Sequence, residues 1–319
     1  MMPVRTSRCW QKYKGAKVAN FNQKPHLLRF FDNYTYMTII KKTEDLQDFI
    51  SRFGAEGRDT GFVPTMGALH QGHISLIRES VSNNALTVAS IFVNPTQFND
   101  PKDFEKYPVT IENDILLLEK AGCNVLFLPA VSEIYPEGIK NKKTYDLGYL
   151  ETILEGEFRP GHFQGVCMVI EKLLNIVRPH NLYLGRKDYQ QCMVIKRLID
   201  LMGWEKTVTI NICPTLREHD GLAMSSRNMR LNAEERKIAP VVYKTLLQVK
   251  ENIRAGNLSG IKTQAKELLM SNGLKPDYVE IAGADKLNIL EKWDGHEKIA
   301  VLVAAFLNEV RLIDNMAID

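Results

Sequence analysis

Between Met37 and Ile212 the chain alternates short apolar segments with amphipathic ones, and this alternation constrains the fold more than any other feature. Ala85–Val93 is an almost unbroken apolar run, which is typical of a strand buried on both faces. Strands that alternate with helices predict an α/β fold, a Rossmann-like parallel sheet covered by helices. The other predicted strands are Gly61–Pro64, Asn124–Pro129, Asn181–Gly185 and Thr207–Ile212.

Amphipathic segments predict the connecting helices. Residues 166–177 place apolar side chains at i, i+3, i+4 and i+7 without a miss, which predicts a helix. Thr110 is the expected N-cap of a helix that ends at Gly122. Two more helices are predicted, one beginning near Gly72 and one over Asp188–Met202.

Beyond Pro214 the pattern changes. Asn232 and Glu235 have the spacing of a capping box at the start of a long helix, and Ser259 begins another helix. We therefore expect a Rossmann-like domain over residues 37–213 and a smaller α+β domain over 214–319. Strands of the smaller domain are predicted at Tyr278–Ala282 and Ile299–Leu307.

Residues 1–36 differ in composition from the rest of the chain. No Asp or Glu occurs between Met1 and Phe31, whereas seven Lys and Arg residues do. The segment lacks the serine content and amphipathic period of a transit peptide and the apolar core of a secretion signal. We expect a basic, disordered extension.

Charge and composition exclude several classes of protein. The 319 residues carry a net charge of +3 from 41 basic and 38 acidic side chains, too balanced for nucleic acid as the main partner. The longest apolar runs, such as Ile299–Leu307, reach about half the length of a membrane span. The cysteines are odd in number and form no C-x-x-C motif, so we expect reduced, mostly buried thiols in a cytoplasmic protein. They are Cys9, Cys123, Cys167, Cys192 and Cys213.

The segment 64–73, PTMGALHQGH, lies between a predicted strand and a predicted helix. Free N–H groups at a helix start favour phosphate, and His70 and His73 can add donors. This pattern indicates a nucleotide site. The alternative is that the two histidines only cap the helix or fill polar loop positions.

A second polar segment, MSSRN at 224–228, follows the turn signal Asp220-Gly221. Arg227 can bind phosphate oxygens as a bidentate fork, and the hydroxyl groups of Ser225 and Ser226 can complete a phosphate cradle. Taken alone, such a segment is more often an ordinary surface loop than a phosphate site.

Two further polar segments follow predicted strands. FVNPTQF at 92–98 offers the carboxamides of Asn94 and Gln97, and GRKDYQQ at 185–191 offers Lys187 for phosphate and Asp188 for ribose. The alternative at 185–191 is that Asp188 caps the helix and Lys187 is solvated. Because ligands of such sheets bind outside the carboxyl ends of the strands, all four segments are expected at one rim.

These segments resemble the pantothenate synthetase, or pantoate–β-alanine ligase, family. The shared motifs are PTMGALHxGH, FVNPTQF, RPGHFxGV, GRKDYQQ and MSSRN, in the same order from about Met37 to the C-terminus. The resemblance implies a nucleotidyltransferase-type fold and a reaction that joins (R)-pantoate to β-alanine. ATP becomes AMP and pyrophosphate through a pantoyl-adenylate intermediate, and the enzyme is expected to be a homodimer.

The resemblance also assigns residues. His73, as proton donor, is expected to act in catalysis with His70, Lys187 and Arg227. Pantoate or β-alanine contacts are expected at Gln97, Gln191 and Asn94, and His162, Arg159 and Glu155 are expected to support the site. The implied ATP-binding residues, with Leu216 near the adenine, are Met66, Gly67, Ala68, Leu69, His70, Gln71, Gly72, His73, Gly185, Arg186, Lys187, Asp188, Leu216, Met224, Ser225, Ser226 and Arg227.

Mg²⁺ is expected to arrive with ATP, and Asp114 is the candidate protein ligand. Two alternatives stay open at this point: another nucleotidyltransferase of the same fold and a non-catalytic ATP-binding module. A class I aminoacyl-tRNA synthetase would be the third alternative, but it needs an anticodon-binding domain, for which the roughly one hundred residues after the second loop leave no room.

Overall fold

Six parallel strands form the central sheet, in the order β1-β4-β3-β2-β5-β6. The structure is a computed structural model that describes residues 37–54, 57–99, 101–139 and 143–318. From β2 the chain proceeds through β3 and β4 on one side and β5 and β6 on the other, so a topological switch point separates β2 from β5. The strands are Thr38–Ile40 (β1), Thr60–Thr65 (β2), Leu86–Ile91 (β3), Val125–Phe127 (β4), Asn181–Gly185 (β5) and Thr209–Cys213 (β6).

The predicted α/β fold is confirmed, and burial explains the strand sequences. All six residues of β3 are buried, as expected for a strand with helices on both faces. Phe92 and Val93, which were predicted to continue this strand, follow its last residue; the Phe92 N–H still donates to the Thr65 carbonyl of β2 (3.0 Å), and Val93 leads into the turn that begins at Asn94.

Eight helices accompany this sheet in the described residues. The helix α7 begins four residues earlier than predicted, because His162 and Phe163 are buried as well. Thr110 occupies the N-cap position of α4, but its hydroxyl group accepts no backbone N–H and instead donates to the Asp114 side chain. The helices are Thr43–Gly54 (α1), Gln71–Asn83 (α2), Pro101–Glu105 (α3), Ile111–Lys120 (α4), Val131–Ile134 (α5), Glu155–Phe158 (α6), His162–Val177 (α7) and Tyr189–Leu201 (α8).

The C-terminal part packs helices on an antiparallel sheet of order β11-β10-β8. The capping box of Asn232 and Glu235 is present, but the predicted long helix ends at Ile238. Pro240 has no N–H to continue the helical hydrogen bonds, so a second helix begins beyond it. The elements are Ala233–Ile238 (α9), Val241–Asn252 (α10), Gly256–Asn257 (β7), Ser259–Ser271 (α11), Lys275–Gly283 (β8), Lys292–Trp293 (β9), Ile299–Leu307 (β10) and Val310–Ile318 (β11).

One apolar cluster joins the two parts, because Tyr278 and Leu302 pack in the same core as Phe163.

The predicted domain boundary at residue 214 stays a prediction, and the predicted extension 1–36 lies outside the described residues. Four cysteines are buried free thiols, as expected; Cys9 belongs to the extension. Across the described ranges, none of the helices is long and apolar enough to cross a membrane.

Candidate active site

A cavity of about 1030 Å³ lies beyond the carboxyl ends of β2, β3, β5 and β6 and is closed on its other side by β10 and β11. All four predicted polar segments reach it, so the sequence places them correctly at one rim. The predicted site residues that line the cavity are Met66, His70, Gly72, His73, Gln97, Gly185, Lys187, Asp188, Gln191, Leu216, Met224, Ser225, Ser226 and Arg227.

Some residues expected to contact a ligand do not line the cavity, and their contact with a ligand stays a prediction. They are Gly67, Ala68, Leu69, Gln71, Arg186, Asn94 and Asp114.

Asp114 stabilises the 64–73 turn by accepting hydrogen bonds from its backbone. Its carboxylate is fully buried and accepts hydrogen bonds from Ala68 N (2.9 Å), Leu69 N (2.8 Å) and the Thr110 hydroxyl group (2.9 Å). These bonds occupy both carboxylate oxygens and keep the Ala68 and Leu69 amides away from any phosphate. Gly67 has a φ of +84°, which a residue with a side chain rarely adopts.

The metal role expected for Asp114 does not fit this geometry. A Mg²⁺ ligand needs an accessible oxygen, whereas this carboxylate is fully buried and both of its oxygens already accept hydrogen bonds. Within the described ranges, no group of three or more His, Cys, Asp or Glu side chains is arranged to hold a metal ion.

His70 and His73 cap the helix α2, and both also line the cavity. The Gly72 N–H donates to His70 Nδ1 (3.2 Å), and the His70 N–H donates to His73 Nδ1 (3.4 Å). Both histidines therefore cap the helix, and their role toward a ligand stays a prediction. The predicted free N–H groups are wrong at these positions, because the imidazoles already accept from them. Gly72 is required here, since a Cβ would approach the His70 ring to 2.9 Å.

This capping fixes the protonation of both rings. Because Nδ1 accepts a hydrogen bond in each, the proton of the neutral imidazole sits on Nε2, which is the nitrogen left for a ligand. Burial lowers the pKa of His70 to about 3, helped by the nearby His73 and Lys187. Burial also lowers the pKa of His73 to about 4. The pair therefore offers two neutral N–H donors, with ring centroids 4.0 Å apart.

Lys187 and Asp188 form an ion pair at the end of β5, with Nζ 3.3 Å from Oδ1. Burial alone would raise the pKa of Asp188, but the adjacent ammonium group holds it below its usual range. Asp188 makes no side-chain capping bond to α8, and Lys187 is only 16% exposed, so the alternative of a cap and a solvated lysine is wrong. Asn315 of β11 donates to the carbonyls of Arg186 (2.9 Å) and Lys187 (2.8 Å) and fixes this turn.

Gln97 faces the cavity beside Met66, with Nε2 donating to the methionine sulfur at 2.7 Å. Asn94 is buried beneath it, and its Nδ2 donates to Gln97 Oε1 (3.2 Å) and to the Gly165 carbonyl (3.0 Å). Asn94 therefore orients Gln97. The ligand contact expected for Asn94 is replaced by this supporting one.

Two neighbouring glutamines on α8 have different roles. Gln190 is buried, its Nε2 donates to the carbonyls of Leu150 and Ile153, and its Oε1 accepts from the Glu155 N–H. Both residues line the cavity, but the Gln190 carboxamide is already bonded to backbone groups. Of the two, Gln191 is therefore the one placed to contact a ligand through its carboxamide.

The second predicted loop is docked on the first, since the Ser226 hydroxyl group donates to the Ala68 carbonyl at 3.0 Å. Ser225 begins the 3-10 turn Ser226–Arg230 and accepts from the Arg227 N–H. The Arg227 guanidinium binds the Asp103 carboxylate. Together the two loops form one wall of the cavity.

Sequence reasoning missed three residues that hold the cavity-lining segments in place. Asp103 binds Arg227, Asn315 fixes the turn that carries Lys187, and Gly165 lets α7 pack closely against the turn that carries Gln97. A Cβ on Gly165 would lie 2.2 Å from the Thr96 carbonyl oxygen, so only glycine lets α7 pack against the 95–97 turn. A signal for Gly165 was present in its place within the RPGHFxGV motif. Asp103 and Asn315 carry no local signal, since their partners are remote in sequence.

A Rossmann-like sheet with this polar rim defines a nucleotidyltransferase-type protein. The sequence matches the family model for pantoate–β-alanine ligase over residues 38–317. The chain therefore belongs to the pantoate–β-alanine ligase family.

Individual relatives agree with this assignment. Pantothenate synthetase of Cytophaga hutchinsonii is 43% identical over 285 residues, covering 88% of this chain and 99% of the relative. The crystal structure of pantothenate synthetase from Thermus thermophilus superposes with a TM-score of 0.80 at 38% identity, covering 88% of this chain and 99% of that one. The Francisella tularensis ligase, solved with a β,γ-ATP compound and β-alanine, gives a TM-score of 0.74 at 39% identity over 88% and 97% of the two chains.

Proposed function

We propose that this chain condenses (R)-pantoate with β-alanine to pantothenate, using ATP and releasing AMP and pyrophosphate. Family membership supports the reaction. The observation that carries it is the meeting of the 64–73 turn and the 224–228 loop through Ser226 and Ala68, in a cavity that Gln97 and Gln191 also line.

The first half of the reaction activates an unreactive carboxylate. A pantoate oxygen attacks the α-phosphorus of ATP, the bond to the bridging oxygen breaks, and pyrophosphate leaves with that electron pair. Lys187 and Arg227 supply positive charge, and the Nε2–H groups of His70 and His73 donate hydrogen bonds to phosphate oxygens. Such donors stabilise the transition state because they are oriented before the reaction begins.

The second half forms the amide. The amine nitrogen of β-alanine attacks the pantoyl carbonyl carbon, and AMP leaves with the electron pair of the broken C–O bond. The proton lost by the amine passes to a phosphate oxygen of the departing AMP. This chemistry needs no protein nucleophile. The chain holds the reactants together and excludes water from the reactive adenylate.

Pantoate is proposed to bind at Gln97 and Gln191. Neutral carboxamides can donate to a carboxylate and accept from a hydroxyl group, which matches a hydroxy acid. The Met66 sulfur accepts a hydrogen bond from Gln97 Nε2 at the same place. The adenine is proposed to lie near Leu216 and the ribose near Asp188, both of which line the cavity.

ATP is proposed to bind with Mg²⁺ carried on its phosphates, without a protein carboxylate as ligand. The buried state of Asp114 supports this, as do the cation partners of Asp103 and Asp188. The Francisella tularensis ligase, solved with a β,γ-ATP compound and β-alanine, supports these two substrates.

We also propose a homodimer that forms through the larger domain, on the basis of the family resemblance. Light scattering of the purified chain measures this directly. A cytoplasmic location is proposed because the reduced state suits the four described cysteines, which are buried thiols.

One assay tests the function. AMP should form only when pantoate and β-alanine are both present, and pantoate alone should support exchange of labelled pyrophosphate into ATP. AMP formation that requires an amino acid and tRNA, or ATP binding without any exchange, would contradict the proposal.

A further inference from the structure

Arg159 lines the cavity and follows directly after the last residue of α6. Its Nη1 donates to His162 Nε2 at 3.1 Å, and His162 Nδ1 lies 2.8 Å from the Gln97 carbonyl oxygen. One imidazole ring therefore separates the guanidinium from the backbone of the glutamine that is proposed to hold pantoate.

The direction of these hydrogen bonds follows from arginine chemistry. A guanidinium has no acceptor, so His162 Nε2 must accept and carry no proton. The proton of the neutral ring is then on Nδ1, which donates to the Gln97 carbonyl. His162 thus fixes the position of Arg159 relative to Gln97 without adding charge of its own.

Arg159 is weakly paired compared with its neighbours. Glu155 accepts from Arg311 Nη1 at 2.7 Å and from the Tyr278 hydroxyl group at 2.9 Å, but its oxygen is 3.5 Å from Arg159 Nη1. The hydrogen bonds of Arg159 to the described part of the chain both use Nη1. Its remaining N–H donors can therefore serve a ligand in the cavity.

The other cations of the cavity have stronger partners or another proposed task. Arg227 and Arg230 share Asp103 at 2.9 and 2.7 Å, and Lys187 is placed for phosphate. Arg311 binds Glu155 and Asp277, both at 2.7 Å. Its buried Nη2, however, has no partner among the described residues, so a further acceptor would also satisfy Arg311.

We propose that Arg159 binds the carboxylate of β-alanine and directs its amine toward the pantoyl carbonyl held at Gln97. This inference rests on the proposed function and adds a residue that selects the amine. Arg159 would favour short ω-amino acids over neutral amines of the same length, because a fork of N–H donors matches a carboxylate.

The test compares Arg159→Gln and Arg159→Lys with wild type, and Arg197→Gln serves as a control at an arginine that binds Asp146 on the surface. Pantoate-dependent pyrophosphate exchange reports the first half-reaction. Amide formation is then measured with β-alanine and with 3-aminopropan-1-ol, which has the same amine and chain length but no carboxylate.

We expect normal exchange in all variants. In Arg159→Gln, the KM for β-alanine should rise at least about tenfold, which corresponds to the loss of one charge-assisted hydrogen bond. The kcat/KM for 3-aminopropan-1-ol should stay unchanged, so the preference for β-alanine falls by the same factor. Arg159→Lys should retain part of the preference, and Arg197→Gln all of it.

Three outcomes would overturn the assignment: an unchanged KM for β-alanine, an equal loss with both amines, or lost exchange in both Arg159 variants. An unchanged KM would mean that Arg159 does not contact the carboxylate of β-alanine. An equal loss with both amines would mean that Arg159 is a structural residue, and lost exchange would mean that it acts in adenylation. Absent exchange in the wild-type chain would instead refute the proposed function, so the two failures are distinguishable.

Discussion

Arg227 and Asp103 form an ion pair with Nη2 2.9 Å from Oδ2, although 124 positions separate them in the chain. Asp103 also accepts from Arg230 Nη1 at 2.7 Å, and the two guanidinium groups hold the pKa of this carboxyl below its usual value against the opposing effect of burial. The arginine proposed to bind phosphate is therefore held by a carboxylate, with which ATP must compete.

Replacing Asp103 by Asn should release Arg227 for phosphate. We expect the variant to bind ATP several-fold more tightly in calorimetric titration, because a charged competitor is gone and one charge-assisted bond is worth about 1.5–3 kcal/mol. Glu105→Gln removes a nearby negative charge that also lines the cavity and is the control. Weaker ATP binding in Asp103→Asn would mean that the carboxylate positions Arg227 and does not compete.

Acid should destabilise the fold through its buried histidines. Burial lowers the pKa of His162 to about 3, as it lowers those of His70 and His73. In the unfolded chain these rings take up protons near pH 6.5, whereas the folded chain takes them up only near pH 3–4. The free energy of unfolding should therefore fall as the pH drops below 6.5. Urea denaturation between pH 7 and 4.5 measures this, and an equal slope in His73→Gln would contradict the assignment for His73.

Alanine substitutions at the two neighbouring glutamines of α8 should affect different properties, substrate binding in one case and stability in the other. Gln191→Ala should raise the pantoate concentration needed for half-maximal exchange and leave ATP binding and stability close to normal. Gln190→Ala should lower the free energy of unfolding by about 1–3 kcal/mol, since it removes partners from three buried backbone groups. Calorimetry and urea denaturation separate the two effects. Equal loss of ATP and pantoate binding in Gln191→Ala would make that residue structural.

Asp114 should prove structural and not metal-binding. Asp114→Ala leaves the Ala68 and Leu69 amides and the Thr110 hydroxyl group without their acceptor, so the free energy of unfolding should fall by at least about 2 kcal/mol. Asp114→Asn keeps the shape and one acceptor oxygen and should be affected less. The Mg²⁺ concentration for half-maximal activity should be unchanged in Asp114→Asn, and a large increase would restore the metal role.

Lys187 and Asn315 should affect the same step to different degrees. Lys187→Ala should slow pyrophosphate exchange about a hundredfold or more, because it removes charge next to the transferred group. Asn315→Ala only loosens the turn that carries Lys187 and should slow exchange by about tenfold, with little change in ATP affinity. Unchanged exchange in both variants would refute the placement of phosphate at Lys187.

Much of this architecture could be predicted from local patterns. The helix α7 and the buried strand β3 have sequences that fit one structure only, and polar residues after successive parallel strands must meet at one rim. The strand β11 was missed because Asp314 and Asn315 put polar side chains at buried positions and break the apolar pattern. Their partners, Arg217 and the backbone of Arg186 and Lys187, come from remote parts of the chain.

The helix start at Gln71 was misjudged for a related reason. The N–H groups were expected to await phosphate, but the side chains of His70 and His73 already accept from the cap. A sequence shows which residues can cap a helix and which can bind a ligand. It does not show that one imidazole ring can cap the helix through Nδ1 and still offer Nε2 to a ligand.

The hydrogen bonds from Asn315 also bear on when the enzyme can begin to work during its synthesis. The carbonyl of Lys187 lies 128 residues upstream of its Asn315 partner, so the parallel sheet can form while the ribosome still holds β11. Lys187 gains its final support only after β11 has been released and has paired with β10. A nascent chain that stalls before Asn315 would therefore carry the whole parallel sheet, but the turn that carries Lys187 would lack its two hydrogen bonds from Asn315.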